Sequence, residues 1–235
     1  MIEIQGIRKS FGKLEVLKGF DLSLTPGTIT AVLGPNGSGK TTMIKSILGL
    51  VLPDLGSILF DRKPVKNQWD YRRQIGYLPQ IARFPENLKV QELISLIEDV
   101  RGMKGNTDEL IDLFKLHDSL NKKLRQLSGG TRQKINLTLT FMFDCPVYIL
   151  DEPTSGLDPI ALIRTKELIM ARKQQGKSFL ITTHIMNLVE EMADELVFLL
   201  EGKVYFRGTH REMMLTQKEE TLERAIAKIL EKENG

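Results

Sequence analysis

The chain of 235 residues has a single cysteine, Cys145, so no disulfide can form within it. Its three histidines are scattered and give no zinc-ligand spacing. Both features fit a reducing, cytoplasmic setting. No stretch approaches the roughly 20 consecutive apolar residues that a membrane-spanning helix needs. The most apolar stretch, 143–150, is interrupted by Asp144 and Pro146. Met1-Ile2-Glu3-Ile4 has no basic leader before an apolar run, so no secretory signal is expected. A dominant charge is lacking as well. The 33 Lys+Arg and 30 Asp+Glu leave a formal +3 with the two signs interleaved, and no nucleic-acid partner is expected. There is no Pro/Ser/Gly-rich tract, no long block of one charge, and no repeat at a period of about 20 to 50 residues. With 41% hydrophobic and 27% charged residues, the chain has the composition of an ordinary globular protein with a real core.

Against that background the order of elements is informative. Residues 29–33 are short, β-branched and apolar, and they run into Gly34-Pro35-Asn36-Gly37-Ser38-Gly39. Apolar residues then recur at helical spacing over 41–50, so the segment reads as strand, glycine loop, helix. Further strands fit 73–78, 147–150, 179–183 and 195–200, the last pairing with 203–207 across Glu201-Gly202 as a hairpin. Between Pro85 and Asp144 the period changes to three or four residues, carried by Leu88, Val90, Leu93, Leu96 and Ile97 and then by the run around Leu110 and Phe114. An inserted helical lobe is expected there. The tail carries Leu222, Ala225, Ile226, Ile229 and Leu230 on one stripe, which either packs on the chain's own core or meets a partner. Strands alternating with helices predict an α/β layer fold with a mainly parallel sheet.

Gly34-Pro35-Asn36-Gly37-Ser38-Gly39-Lys40-Thr41 satisfies G-x-x-x-x-G-K-[ST] in the strand-to-helix context the motif needs. Glycines let successive backbone N–H groups converge on phosphate oxygens, and the helix N-terminus adds partial positive charge. Lys40 supplies a full charge, and the Thr41 hydroxyl can ligate Mg²⁺. A nucleoside triphosphate is the natural ligand. Val147-Tyr148-Ile149-Leu150-Asp151-Glu152 is a buried apolar strand ending in two carboxylates, which alternation aims at different targets. Asp151 is assigned to Mg²⁺, directly or through water, and Glu152 to the attacking water as general base or orienter. Asp158-Pro159 makes a good N-cap and first helical residue, so 155–158 is a turn entering a helix.

Leu127-Ser128-Gly129-Gly130-Thr131 upstream of that strand completes a resemblance to the ATP-binding subunit of ABC transporters. The resemblance covers nearly the whole chain and rests on six elements in order. These are Phe11 before the phosphate loop, Gly34 through Thr41 and Thr42, Gln80, the 127–131 segment, Asp151-Glu152 with the 155–158 turn, and His184. It implies a P-loop NTPase core with an N-terminal antiparallel β region and an inserted helical subdomain in one domain, 1–235. The ATP-binding core would be 1–84 and 146–208, the helical subdomain 85–145 and the helical tail 209–235. It further implies that Phe11 stacks on adenine, that Gln80 reaches Mg²⁺ or the lytic water, and that His184 contacts the γ-phosphate and Glu152. Ser128, Gly129 and Gly130, opening a helix, would close over nucleotide held by a second subunit, with Asp158 crossing the same interface. The chain is therefore expected to work as a homodimer with ATP and Mg²⁺, driving integral membrane subunits from the cytoplasmic face. Their docking groove is expected between the Gln80 region and the helical lobe, where Ile81, Phe84 and Leu88 are apolar.

The chain departs from the family pattern at Thr131, where Gln is usual, so hydrolysis in the closed dimer is expected to be modified. Gly156-Leu157-Asp158-Pro159 and the short tail are similar to single-domain exporter ATPases. The segments 80–88 and 127–133 also resemble ATPases linked to maturation of a copper enzyme, nitrous oxide reductase. Two other readings are weighed. A soluble ABC-type ATPase of DNA or ribosome maintenance usually has a long coiled-coil insertion or two nucleotide domains, which this chain lacks. A P-loop kinase or GTPase does not explain the Ser-Gly-Gly segment, and no Asn-Lys-x-Asp guanine motif is present.

Overall fold

The computed structural model describes residues 1–233. In chain order its strands are β1 (Ile2–Phe11), β2 (Leu14–Ser23), β3 (Ile29–Leu33), β4 (Leu55–Phe60), β5 (Lys63–Pro64), β6 (Ile75–Leu78), β7 (Val147–Asp151), β8 (Ser178–Thr182), β9 (Glu195–Leu200) and β10 (Lys203–Gly208). The helices are α1 (Lys40–Ile47), α2 (Val90–Arg101), α3 (Asp108–Phe114), α4 (Gly129–Phe141), α5 (Pro159–Gln174), α6 (Met186–Met192), α7 (His210–Gln217) and α8 (Leu222–Glu233). One sheet of six strands runs β10-β9-β3-β8-β7-β6, and a second of four runs β2-β1-β4-β5. In the larger sheet every pairing is parallel except the β9–β10 hairpin. The smaller sheet is antiparallel throughout.

Strands β3, β7 and β8 are buried along their whole length, which is why their sequences read as short apolar runs rather than as alternating patterns. The period of two still sorts their side chains. Tyr148, Leu150, Phe179 and Ile181 face a cluster built with α2, α3, α4 and α5. Val147, Ile149 and Leu180 face the antiparallel sheet and α1. On the helical side Tyr148 lies between Phe141, at 4.8 Å, and Phe179, at 5.2 Å between ring centroids, and its hydroxyl donates to Phe143 O. The helices of 85–145 thus share their core with the parallel sheet.

One expectation shifts, and one open alternative is decided. Residues 70–74 form a short 3-10 turn and the strand starts at Ile75, because Tyr71 is buried and its hydroxyl donates to Ile47 O at 2.8 Å, pinning the chain to the end of α1. The tail holds two helices, and the α8 stripe of Leu222, Ala225, Ile226 and Ile229 is buried against Ala31, Leu33, Leu196 and Phe198. That stripe packs on the chain's own core. The antiparallel sheet begins in β1 and β2, whose individual strands carry mixed patterns; β1 is bent by bulges against β2. Among the described residues no helix is long and apolar enough to cross a membrane.

Candidate active site

The loop from Gly34 to Gly39 joins the end of buried β3 to α1. Gly39 is the N-cap of α1 with φ 107°, and a Cβ there would lie 2.9 Å from Leu17 Cδ2 and 3.1 Å from Val16 O, so only glycine fits. Thr41 is exposed in the first turn of α1 and Thr42 half-buried, while Asn36 and Gly37 are exposed at the loop tip and Gly34 and Pro35 are half-buried at its start. Lys40 folds back over the loop, its Nζ donating to Gly34 O at 2.7 Å and Pro35 O at 3.0 Å. Burial pushes the Lys40 amine below its ordinary range, and the charges of Glu152 and Asp151 pull the other way. Ser38 is buried, and its hydroxyl has no hydrogen-bond partner among the described residues. A loop of this kind holds a cation and free donors ready for a polyanion.

Asp151 ends β7, while Glu152 lies one residue beyond it in a left-handed backbone, so that turn, and not the strand alternation expected from the sequence, aims the two carboxylates at different neighbours. The Asp151 carboxylate accepts from Thr182 Oγ1, one strand over in β8. Burial lifts the Asp151 carboxyl above the usual carboxylate range; the Thr182 hydroxyl opposes the lift, the Glu152 charge adds to it, and Lys40 and Lys45 reduce it. Glu152 sits at φ 53°, a left-handed backbone that costs a residue with a Cβ about 1 kcal/mol. Its N–H donates to Thr182 O at 3.0 Å. Its Oε1 lies 2.9 Å from Nδ1 of His184, which follows β8 with an exposed ring. The second oxygen, Oε2, is buried and has no hydrogen-bond partner among the described residues.

The remaining expected residues fall into two groups. Gln80 is exposed just after β6, and Phe11 is half exposed at the end of β1 with Lys9 Nζ 5.5 Å from its ring centroid. Ser128 is the N-cap of α4, its Oγ accepting from Thr131 N at 3.2 Å and lying 2.9 Å from Thr131 Oγ1. Gly129 and Gly130 open that helix, and a Cβ on Gly130 would come within 2.9 Å of Gly156 O. Asp158 caps α5 by accepting from Ala161 N at 2.9 Å, and Lys134 Nζ lies 2.5 Å from its other oxygen. These two contacts hold the Asp158 carboxyl below its ordinary range, the Lys134 bond contributing most.

Sequence reasoning missed the residues that hold the site from behind. Thr182 grips Asp151, Gln133 donates from α4 to Pro153 O at 3.3 Å, and Lys134 pairs with Asp158. A threonine at a strand end or a lysine in a helix has no signature until the strands are paired.

A strand–glycine loop–helix beside a strand ending in two buried carboxylates, under a mainly parallel sheet with an inserted helical lobe, defines a P-loop ATPase of the ATP-binding cassette type. Residues 17–155 match the family model described as ABC transporter. The chain is 32% identical to a lantibiotic transport ATP-binding protein of Streptococcus pyogenes, over 87% of this chain and 89% of that one. It is 33% identical to the Nod factor export ATP-binding protein I of Burkholderia orbicola, over 88% and 70% of the two chains. A solved structure of the ATP-binding subunit of an ABC transporter superposes with a TM-score of 0.91 at 28% identity, covering 98% of this chain and 99% of the other. A dimeric bacterial ABC transporter cassette shares the fold, with a TM-score of 0.79 at 24% identity over 89% and 98%. The chain belongs to the ABC transporter family, as an ATP-binding subunit and ATPase.

Proposed function

We propose that two copies of this chain close over two ATP molecules, hydrolyse them with Glu152 and His184, and pass the closing movement to separate membrane subunits. The Glu152 carboxylate carries the chemical part of this reading: one oxygen is held at 2.9 Å by His184 and the other is buried without a hydrogen-bond partner among the described residues. A carboxylate fixed on one side and unsatisfied on the other is suited to hold or take a proton from the attacking water. Lys40, now spent on two loop carbonyls, would move to phosphate oxygens, together with the backbone N–H groups of Gly34 to Thr42.

The donor set fits Mg²⁺, which keeps waters and substrate oxygens and takes few protein ligands. Asp151, with Thr41 and Gln80, offers hard oxygens of that kind, and burial raises the Asp151 carboxyl despite the charges of Lys40 and Lys45. When bound, the ion would neutralise charge on the β- and γ-phosphates. Ser128, Gly129, Gly130 and Asp158 would serve the nucleotide of the second copy, and the dimeric cassette with this fold supports that arrangement. Phe11 would stack on the base.

Partner subunits would dock at the groove between the core and the helical lobe. An open groove of about 510 Å³ lies there, lined by the exposed apolar side chains of Leu50 and Val100 and by half-buried Phe84, with Arg72 and Arg73 at its side, and it adjoins a second hollow of about 390 Å³ beside Ile81 and Arg83. An amphipathic helix carrying a carboxylate fits such a surface. The chain would then sit on the cytoplasmic face of the membrane through its partners, and the names of relatives concerned with lantibiotic transport and Nod factor export favour export.

Glu152→Gln tests the chemistry: ATP binding should persist while turnover falls by about 10²-fold or more. Undiminished hydrolysis would remove Glu152 from its role. Co-purification with membrane subunits, compared between the wild type and Phe84→Asp, tests the docking; equal recovery would count against the groove.

A further inference from the structure

Strand β6 is the outer strand of the parallel sheet, so one row of its backbone groups has no strand to pair with. Alternate carbonyls along and beside it are taken instead by side chains of the helical lobe. Arg101, at the end of α2, donates from Nη1 to Arg73 O at 2.6 Å and from Nη2 to Ile75 O at 3.1 Å. Helix α4 continues the row: Thr140 Oγ1 donates to Tyr77 O at 3.2 Å, and Asn136 Nδ2 donates to Pro79 O at 3.3 Å. Asn136 and Thr140 are both buried, at 2% and 5% exposure, where helices ordinarily place apolar or small residues. A buried polar side chain on a helix that otherwise faces a core needs a partner, and here each finds it on the segment leading into Gln80.

We infer that Asn136 and Thr140 are positioning residues for Gln80, holding the strand end that carries that amide. The inference rests on the reading that Gln80 serves the reacting phosphate. Three observations carry it. Pro79 has no N–H, so its carbonyl is the only main-chain handle on the residue before Gln80, and Asn136 holds it. The Thr140 hydroxyl has one proton and two acceptors, Tyr77 O and, at 2.8 Å, Asn136 O in its own helix. It can therefore release β6 without being left unpaired, which makes a clasp rather than a fixed staple. Finally, Tyr77, Pro79, Asn136 and Thr140 all line the groove between the core and the lobe. Whatever seats there bears on the same bonds that hold the approach to Gln80.

The test is a double-mutant cycle in the full chain, read by the rate and the Mg²⁺ dependence of ATP hydrolysis. Asn136→Leu and Thr140→Val should each lower kcat by roughly three- to tenfold and raise the Mg²⁺ concentration for half-maximal rate, with KM for ATP within about twofold of wild type. Thr140→Ser should restore both quantities. In a Gln80→Ala background the same substitutions should add less than about twofold. A full additive loss there, or wild-type kcat and Mg²⁺ dependence in variants with normal melting curves, overturns the inference while leaving Gln80 in its role. If Gln80→Ala alone changes neither quantity, the role of Gln80 itself falls and takes the inference with it. Thr140→Val keeps the branched shape and removes the hydroxyl, while Thr140→Ser keeps the hydroxyl, so this pair decides the matter even if Asn136→Leu does not fold.

Discussion

Lys134 Nζ lies 2.5 Å from Asp158 Oδ2, joining the helix that Ser128 opens to the turn that follows Glu152. The same turn is touched by Gln133 at Pro153 O and closely approached by Gly130 at Gly156 O. Lys134→Met keeps the alkyl stem and removes the charge, while the Asp158 cap on Ala161 N survives. Melting temperature should scarcely move, because a half-exposed ion pair contributes little, yet ATP turnover should fall severalfold. Asp158→Ala should lower both, since it also removes the cap. Acid should act on the same pair. With the Asp158 carboxyl held below its ordinary range, the contribution is fully present above that range and is lost as pH falls through the lowered value. Thermal melts and steady-state rates from neutral to acid pH check the sign.

What the sequence made legible follows from distance along the chain. The phosphate loop, the β7 carboxylates and the β9–β10 hairpin are local patterns, and the structure holds them where the spacing put them. Helices α2 and α3 were visible because their apolar residues recur every three or four positions, whereas α4 was expected only from the family resemblance at Ser128, Gly129 and Gly130. Tyr71, by contrast, converts an expected strand start into a 3-10 turn by bonding Ile47 O, a contact across 24 residues. The Asp151–Thr182 bond and the hold of α4 on β6 arise only once strands and helices are packed side by side, so no local pattern announces them. The signal that was present, two polar residues at an otherwise buried helix face, needs the sheet to give it meaning.

Asp151 illustrates a site held at some cost to stability. Its carboxyl is raised chiefly by burial, so the ionised form is disfavoured in the folded chain. Asp151→Asn should melt at a higher temperature than wild type without ligand, at neutral pH, while losing ATPase activity. The linkage sign gives a control. The advantage of Asn is complete above the raised folded value, shrinks as pH falls through it, and vanishes below the ordinary carboxyl value. A variant that melts lower at neutral pH would show that the Thr182 bond outweighs the burial.

The Thr131 hydroxyl pairs with that of Ser128, and either oxygen can be the donor. Thr131 Oγ1 lies 2.9 Å from Ser128 Oγ, while the Thr131 backbone N–H supplies the cap separately at 3.2 Å. Thr131→Val removes this hydroxyl–hydroxyl contact and leaves the cap, so no neighbouring hydroxyl would draw the Ser128 proton away from a phosphate held by the proposed second copy. In a Glu152→Gln background, Thr131→Val should raise the dimer fraction at a given ATP concentration, and Ser128→Ala should lower it, as measured by sedimentation. A reduced dimer fraction for Thr131→Val would mean that the Thr131 hydroxyl helps the interface.

Phe11 offers the most direct check on base binding. Its ring is 50% exposed at the end of β1, and Lys9 Nζ is 5.5 Å from the ring centroid, so one face has a cation near it and the side chain retains open area for a flat ligand. Stacking of a base on an aromatic side chain is worth about 1–3 kcal/mol by alanine substitution, and it does not depend on which base is stacked. Phe11→Ala should therefore raise KM at least about fivefold for ATP and for GTP alike. The kcat at saturation should hold, since Lys40, Asp151 and Glu152 are untouched. Phe11→Tyr should stay close to wild type. Because ring exposure alone allows stacking without requiring it, an unchanged KM in Phe11→Ala would place the base elsewhere on this face of the core.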